Sequence, residues 1–168
     1  MTTQRKYTIK KNRKDIKMVY LIILTTLLVD QLTKIWAENS LDLHHFVEIT
    51  PFFNLFLTYN KGVSFSFLSS DTTYGPFLLS ALSIAICIGL IVWLYKEKNK
   101  CIQYGLAFVL GGAIGNVIDR IRIGSVVDFI DFHYQTYHWP AFNIADTAIC
   151  FGAFLIFLQL FTQKKEEK

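Results

Sequence analysis

Four long apolar runs, separated by polar and aromatic segments, organise this chain. Pro76 to Tyr95 is twenty residues without a charge, enough at 1.5 Å per residue to cross roughly 30 Å of hydrocarbon. Cys101 to Ile118 is also uncharged and runs on into Asp119, Arg120 and Arg122. Another run extends from about Ile144 to Thr162 and is broken only by Asp146. The first, Met18 to Trp36, follows a basic head, and its uninterrupted core, Met18 to Val29, has the length of a secretory signal's apolar region. No small-x-small cleavage site follows it, and apolar character resumes at Leu32, Ile35 and Trp36, so it reads as a retained span.

Between the first two runs, Phe52 to Thr58 and Val63 to Phe67 are aromatic-rich segments broken by Asn60-Lys61-Gly62, the signature of short strands around a turn. Val127 to His133 reads as a further strand, and Trp139-Pro140 as the turn before the last span. The expectation is a single, mainly α integral membrane domain over residues 1–168. Its transmembrane helices fall near 18–36, 76–95, 101–122 and 144–162, after a basic head at 1–17. A small β-sheet is expected in the extracytoplasmic loops, near 37–75 and 123–143.

Composition agrees with a bilayer setting: 52% of residues are hydrophobic and 15% aromatic. The net charge of +4 could suggest a nucleic-acid surface, but the cations flank apolar runs rather than forming a basic face, which excludes nucleic acid as a partner. Thirteen of the seventeen Lys and Arg residues lie before the first span, between the second and third, or after the fourth. The positive-inside rule therefore predicts both termini in the cytoplasm. Nine of the thirteen acids fall on the opposite side or near the outer span ends, where function is expected.

Cys87, Cys101 and Cys150 show none of the close spacings that metal or redox motifs need, and read as small residues of the membrane core. His44, His45, His133 and His138 lie between spans, and an adjacent pair cannot supply the i, i+4 face of a helical zinc site. No metal and no cofactor is expected.

Ionisable groups within spans are costly, so each needs a partner or a purpose. Asp30 and Lys34 are spaced i, i+4 on the first helix, which suits either a neutral ion pair or a functional role. On the third helix Gly112, Asn116 and Arg120 share one face, with Asp119 three residues from Asn116. Gly111 and Gly115 form a Gly-x-x-x-Gly pair of the kind that lets helices pack closely. A guanidinium at Arg120 would hold nearby carboxylates in place. Gly124 permits a chain break, and Ser125 to Phe129 sets Asp128 among apolar neighbours, where it should be partly desolvated. Asn143 is a plausible N-cap of the fourth helix, with Asp146 one turn in, where the helix dipole favours an anion. A short hairpin between the third and fourth helices can bring Asp128 and Asp146 together beside Asn116 and Arg120. Taken singly, each acid could equally be a cap or an ion-pair partner.

The segments Asp30-Gln31-Leu32-Thr33-Lys34, Tyr59 to Phe65, Gly111 to Arg120, Gly124, Val127-Asp128-Phe129 and Trp139 to Asp146, in this order, resemble those of the lipoprotein signal peptidases (signal peptidase II), a family of aspartic peptidases. The resemblance covers nearly the whole chain. It implies an endopeptidase of the bacterial inner membrane that removes the signal peptide from prolipoproteins, cutting before a diacylglyceryl-modified cysteine in a lipobox. It implies Asp128 and Asp146 as the catalytic dyad, with Asn60, Asn116, Arg120 and Asn143 lining and supporting the site and Asp30 and Lys34 in the first-helix motif. The partners expected are the lipidated substrate and membrane lipid, with the enzyme a monomer. A proton-coupled transporter is the first rival reading, disfavoured because the acids cluster at outer span ends rather than at the midplane. A non-catalytic scaffold presenting its aromatic loop to a partner is the second.

Overall fold

The computed structural model describes residues 13–62 and 75–166. Four helices, α1 (Arg13–Ser40), α2 (Gly75–Lys96), α3 (Lys100–Ile123) and α4 (Ile144–Glu166), are each long and apolar enough to cross a membrane. They carry a four-stranded antiparallel sheet in the order β1 (Phe46–Thr50), β2 (Phe53–Asn60), β3 (Val126–Tyr134), β4 (Tyr137–His138). The strands expected at Phe52–Thr58 and Val127–His133 are β2 and β3. The segment Val63–Phe67 lies outside the described residues.

Helix α3 is the axis of the bundle. Over its span window 56% of residues are buried, against 11–17% for the other three helices, whose remaining surface is left to lipid. Its glycines explain how neighbours come so close. A Cβ on Gly111 would meet Thr26 and Ile23 of α1, and one on Gly115 would strike Asp30 of the same helix. A Cβ on Gly112 would strike the Ala145 carbonyl of α4, and Gly105 and Gly152 face each other lower down the same contact. The third helix thus carries two small-residue seams, of which Gly-x-x-x-Gly accounts for only the one against α1.

Local signals set the helix ends. Asn99 caps α3, its Oδ1 accepting from the Cys101 and Ile102 amides at 2.8 and 3.2 Å. Gly124 ends it with φ 73°, a left-handed conformation that favours glycine, and donates to the Arg120 carbonyl. That turn sends the chain straight into β3. The sheet sits on the end of α1 through a core of Ala37, Leu57, Val127 and Phe129. Register pairs Thr58 with Asp128 and Asn60 with Val126, and a bulge between Leu55 and Thr58 re-aims the end of β2. Strand β3 therefore leaves α3 at Gly124 and carries Asp128 only four residues later, close to the end of the bundle.

Candidate active site

Asp128 lies on β3 and is 1% exposed. Its Oδ2 accepts from Asn60 Nδ2 at 3.0 Å and its Oδ1 from Asn143 Nδ2 at 2.7 Å. Asn60 is itself held by an Asx turn, its Oδ1 accepting from the Gly62 amide at 2.8 Å, with Gly62 at φ 85°. Burial, and then the neighbouring charge of Asp146, push the Asp128 carboxyl up to about 7, against which the two asparagine hydrogen bonds and Lys34 act only partly.

Asp146 occupies the first turn of α4. Asn143 caps that helix: its Oδ1 accepts from the Asp146 amide at 2.9 Å. The Asp146 side chain, half-buried, takes a hydrogen bond on Oδ1 from Asn116 Nδ2 at 2.8 Å. Asn143 Nδ2 also approaches Asn116 Oδ1 at 3.3 Å. A continuous path of side chains, Asp128 to Asn143 to Asn116 to Asp146, thus links the two acids across β3, α4 and α3.

Beneath this path is a buried cation. Lys34, 1% exposed, donates to Asp30 Oδ2 at 2.9 Å, Asp119 Oδ2 at 2.8 Å and Asn116 Oδ1 at 2.9 Å. Gln31 Nε2 bridges Asp30 and Asp119 at 3.1 and 3.2 Å. Both acids also reach backbone: Asp30 accepts on its other oxygen, Oδ1, from the Ala145 amide at 2.8 Å, and Asp119 accepts on the same Oδ2 from the Val127 amide at 3.2 Å. Ala145 and Val127 are the chain neighbours of Asp146 and Asp128, so the cluster pins both acids from behind. The i, i+4 pair expected on α1 is present, and Asp119 is its third member.

Arg120 departs from expectation. Rather than gripping a carboxylate, its Nη1 donates to the Asn116 carbonyl at 3.4 Å, and it makes no ion pair with a described acid. Asn116 and Arg120 also close the polar end of an apolar groove of about 230 Å³ between α2, α3 and α4, with Leu90, Ala113 and Ile149 among its walls.

The residues absent from the expected set are Gln31 and Asp119, and a separate buried pair in the sheet. There Asn54 donates to Asp131 Oδ2 at 2.9 Å, and His138 Nδ1 faces both Asp131 oxygens at 2.9 and 3.0 Å. A polar residue between two ionisable ones in an apolar run was the available signal for Gln31. Nothing local marks Asp131, whose partners are 77 residues upstream and 7 downstream.

The family described as signal peptidase (SPase) II matches residues 22–162. The chain is 42% identical over 151 residues to the lipoprotein signal peptidase of Shewanella pealeana, covering 89% of each protein. It is 42% identical over 153 residues to that of Coxiella burnetii (strain Dugway 5J108-111), covering 90% of this chain and 93% of the relative. A bacterial membrane enzyme solved by the in meso method at 2.3 Å superposes with a TM-score of 0.80 at 30% identity, over 91% of this chain and 93% of the other. A second, at 1.9 Å, gives 0.75 at 33% identity over 86% and 93%.

Proposed function

Because the chain belongs to the signal peptidase II family, we propose that Asp128 and Asp146 are the catalytic dyad of its peptidase activity. The enzyme is a membrane aspartic endopeptidase that removes the signal peptide from prolipoproteins, cutting before the lipidated cysteine. The observation that carries the dyad is the hydrogen-bonded path from Asp128 through Asn143 and Asn116 to Asp146. Burial and the nearby negative charge of Asp146 together favour a proton on Asp128.

The environments divide the roles. Asp128 is almost fully buried, is raised to about 7 and holds the proton near neutral pH. Asp146 lies at the helix end that favours an anion, and Asn116 donates to it. In hydrolysis the Asp146 carboxylate takes a proton from water as the water oxygen bonds to the scissile carbonyl carbon. Asp128 gives its proton to the carbonyl oxygen. Collapse of the tetrahedral diol breaks the C–N bond as the proton held by Asp146 passes to the leaving amine and one diol hydroxyl returns its proton to Asp128, which restores both acids. No covalent acyl-enzyme forms.

Asn60 and Asn143 hold the Asp128 carboxyl, Asn116 the Asp146 carboxylate, and Asp30 with Lys34 supports Asn116 from below. Arg120 stabilises negative charge as it develops, and the groove it closes suits an apolar part of the substrate. The charge asymmetry supports termini in the cytoplasm and a site on the extracytoplasmic side of the bacterial inner membrane. The dyad and the residues that hold it all lie on one chain, so a monomer suffices for the chemistry.

The decisive experiment incubates the purified protein in detergent with a diacylglyceryl-modified prolipoprotein and with its unmodified precursor. Mass loss of the signal peptide from the lipidated form alone is expected. Equal cleavage of both would remove the lipid requirement, and cleavage of neither would count against the peptidase reading.

A further inference from the structure

A second groove lies on the other side of the bundle, toward the opposite helix ends. Ile16, Tyr20 and Ile23 of α1 form one wall, Ile91 and Tyr95 of α2 another, and Leu110 of α3 the floor; its volume is about 320 Å³. From Ile16 to Ile23 it runs about 10 Å along the helix, a large part of one leaflet's half of a roughly 30 Å hydrocarbon core. It opens sideways to lipid, and both tyrosines are well exposed along it, Tyr20 at 68% and Tyr95 at 83%.

The charge at its end is one-sided. Lys17 and Lys96 are the chain neighbours of the lining residues Ile16 and Tyr95, and Lys98 follows the end of α2; all three are exposed and make no ion pair with a described residue. The carboxylates nearby are already engaged. Asp15 is held by Lys100 at 2.9 Å, and Glu97 accepts from the Lys98 and Asn99 amides and from the Trp93 indole, which hold its carboxyl below the usual range. An apolar slot of bilayer depth therefore ends in net positive charge, three lysines against the one carboxylate of Glu97, with phenol hydroxyls beside it. We propose that this groove between α1, α2 and α3 is a binding site for an anionic phospholipid, one acyl chain lying against Leu110 and the phosphate headgroup at Lys17, Lys96 and Lys98. Fourteen residues of α1, about 21 Å, separate Ile16 at the charged end from Asp30, and seven, about 10 Å, separate Ile23 at the deep end from it. The site is thus separate from the Asp128/Asp146 network and does not rest on the peptidase assignment.

The test titrates the full chain in detergent with phosphatidylglycerol or phosphatidylethanolamine of identical acyl chains and counts retained lipid by native mass spectrometry. At least about tenfold tighter retention of phosphatidylglycerol is expected, from three lysines near the surface partly offset by Glu97. Lys17→Gln/Lys96→Gln/Lys98→Gln should bring the two lipids to equal retention. Ile91→Trp, which fills the slot from its exposed side and leaves the charges in place, should weaken both. Equal retention by the unaltered protein overturns the proposal, as does retention of phosphatidylglycerol that Ile91→Trp leaves undiminished. A lipid-free dimer that Ile91→Trp dissociates would assign the slot to a second copy of the chain and also overturn it.

Discussion

The Lys34 ammonium donates to Asn116 Oδ1 at 2.9 Å, and this bond decides which way the Asn116 amide faces. With its oxygen committed to the cation, the amide has only Nδ2 to offer Asp146, at 2.8 Å. A charge buried on α1 thus sets the hydrogen-bond polarity of the dyad. Lys34→Met would leave Asp30 and Asp119 as uncompensated buried carboxylates, at a cost of about 3–5 kcal/mol. Thermal unfolding in detergent should register that loss. The triple variant Lys34→Met/Asp30→Asn/Asp119→Asn removes the charges together and should recover much of the stability. It should remain poorly active, because only the longer 3.3 Å contact from Asn143 then orients Asn116. Recovery of cleavage along with stability would show that the cluster acts on the fold alone.

The dyad itself makes a simpler demand. Asp128→Asn and Asp146→Asn each remove a proton carrier without changing side-chain size. Cleavage of the lipidated substrate should fall by at least roughly 10²–10⁴-fold in each. Insertion, followed by membrane fractionation, should be unchanged. An active Asp128→Asn or Asp146→Asn enzyme would exclude that acid from the chemistry.

The pH dependence follows from the proton on Asp128. Catalysis needs that carboxyl protonated, so kcat/KM should decline as pH rises through about 7. Asn60 donates to Asp128 Oδ2 and favours the charged form. Asn60→Ala should therefore move the alkaline limb to higher pH, whatever it does to the maximal rate. A limb that stays in place, measured over a pH series with lipidated substrate, would deny Asp128 the role of acid.

Stability carries the same proton with its own sign. Asp128 rises from 3.8 to about 7 on folding, so between those values the native state binds more protons than the unfolded state, and stability falls as pH rises across that window. Asp128→Asn should flatten that stretch of the profile. At pH 8 it should gain stability by an amount below roughly 4 kcal/mol, because an Asn amide offers one acceptor to two donors. Melting temperatures of the two proteins from pH 4 to pH 8 provide the check.

The spans were legible because they depend on length and local composition, and the Asn143 cap because capping is local. The convergence of Asp128 and Asp146 was legible only as a possibility, opened by Gly124 and the short hairpin. The role of Arg120 was not: side-chain charge suggested an ion pair, yet Lys34 and the asparagines had taken the positions around the acids. Asp119 was visible as an acid beside Asn116, but its partner Lys34 lies 85 residues away, and helix packing alone brings them to 2.8 Å. The Asp131, Asn54 and His138 contact likewise depends on register between β2, β3 and β4, which no short motif encodes.

Packing between α3 and α4 supplies the last prediction. Gly112 lies against Ala145, and a Cβ there would strike the Ala145 carbonyl and come within 2.9 Å of Ile149. Backbone cannot yield as a flexible side-chain tip would, so Gly112→Ala must push the start of α4 away from α3. Ala145 donates its amide to Asp30, and the next residue is Asp146; the displacement therefore reaches the site directly. Overpacking of this kind costs about 1–3 kcal/mol. The catalytic loss should be disproportionate, because the Asn116 to Asp146 bond of 2.8 Å spans the interface being opened. A Cβ added at Gly89, on lipid-facing α2, would meet nothing within 4 Å, so Gly89→Ala should leave both melting temperature and kcat close to their original values. Comparing kcat and unfolding temperature for the two variants separates a general effect of alanine in these helices from the specific one. Full activity in Gly112→Ala would mean that the close approach of α3 and α4 does not set the position of Asp146.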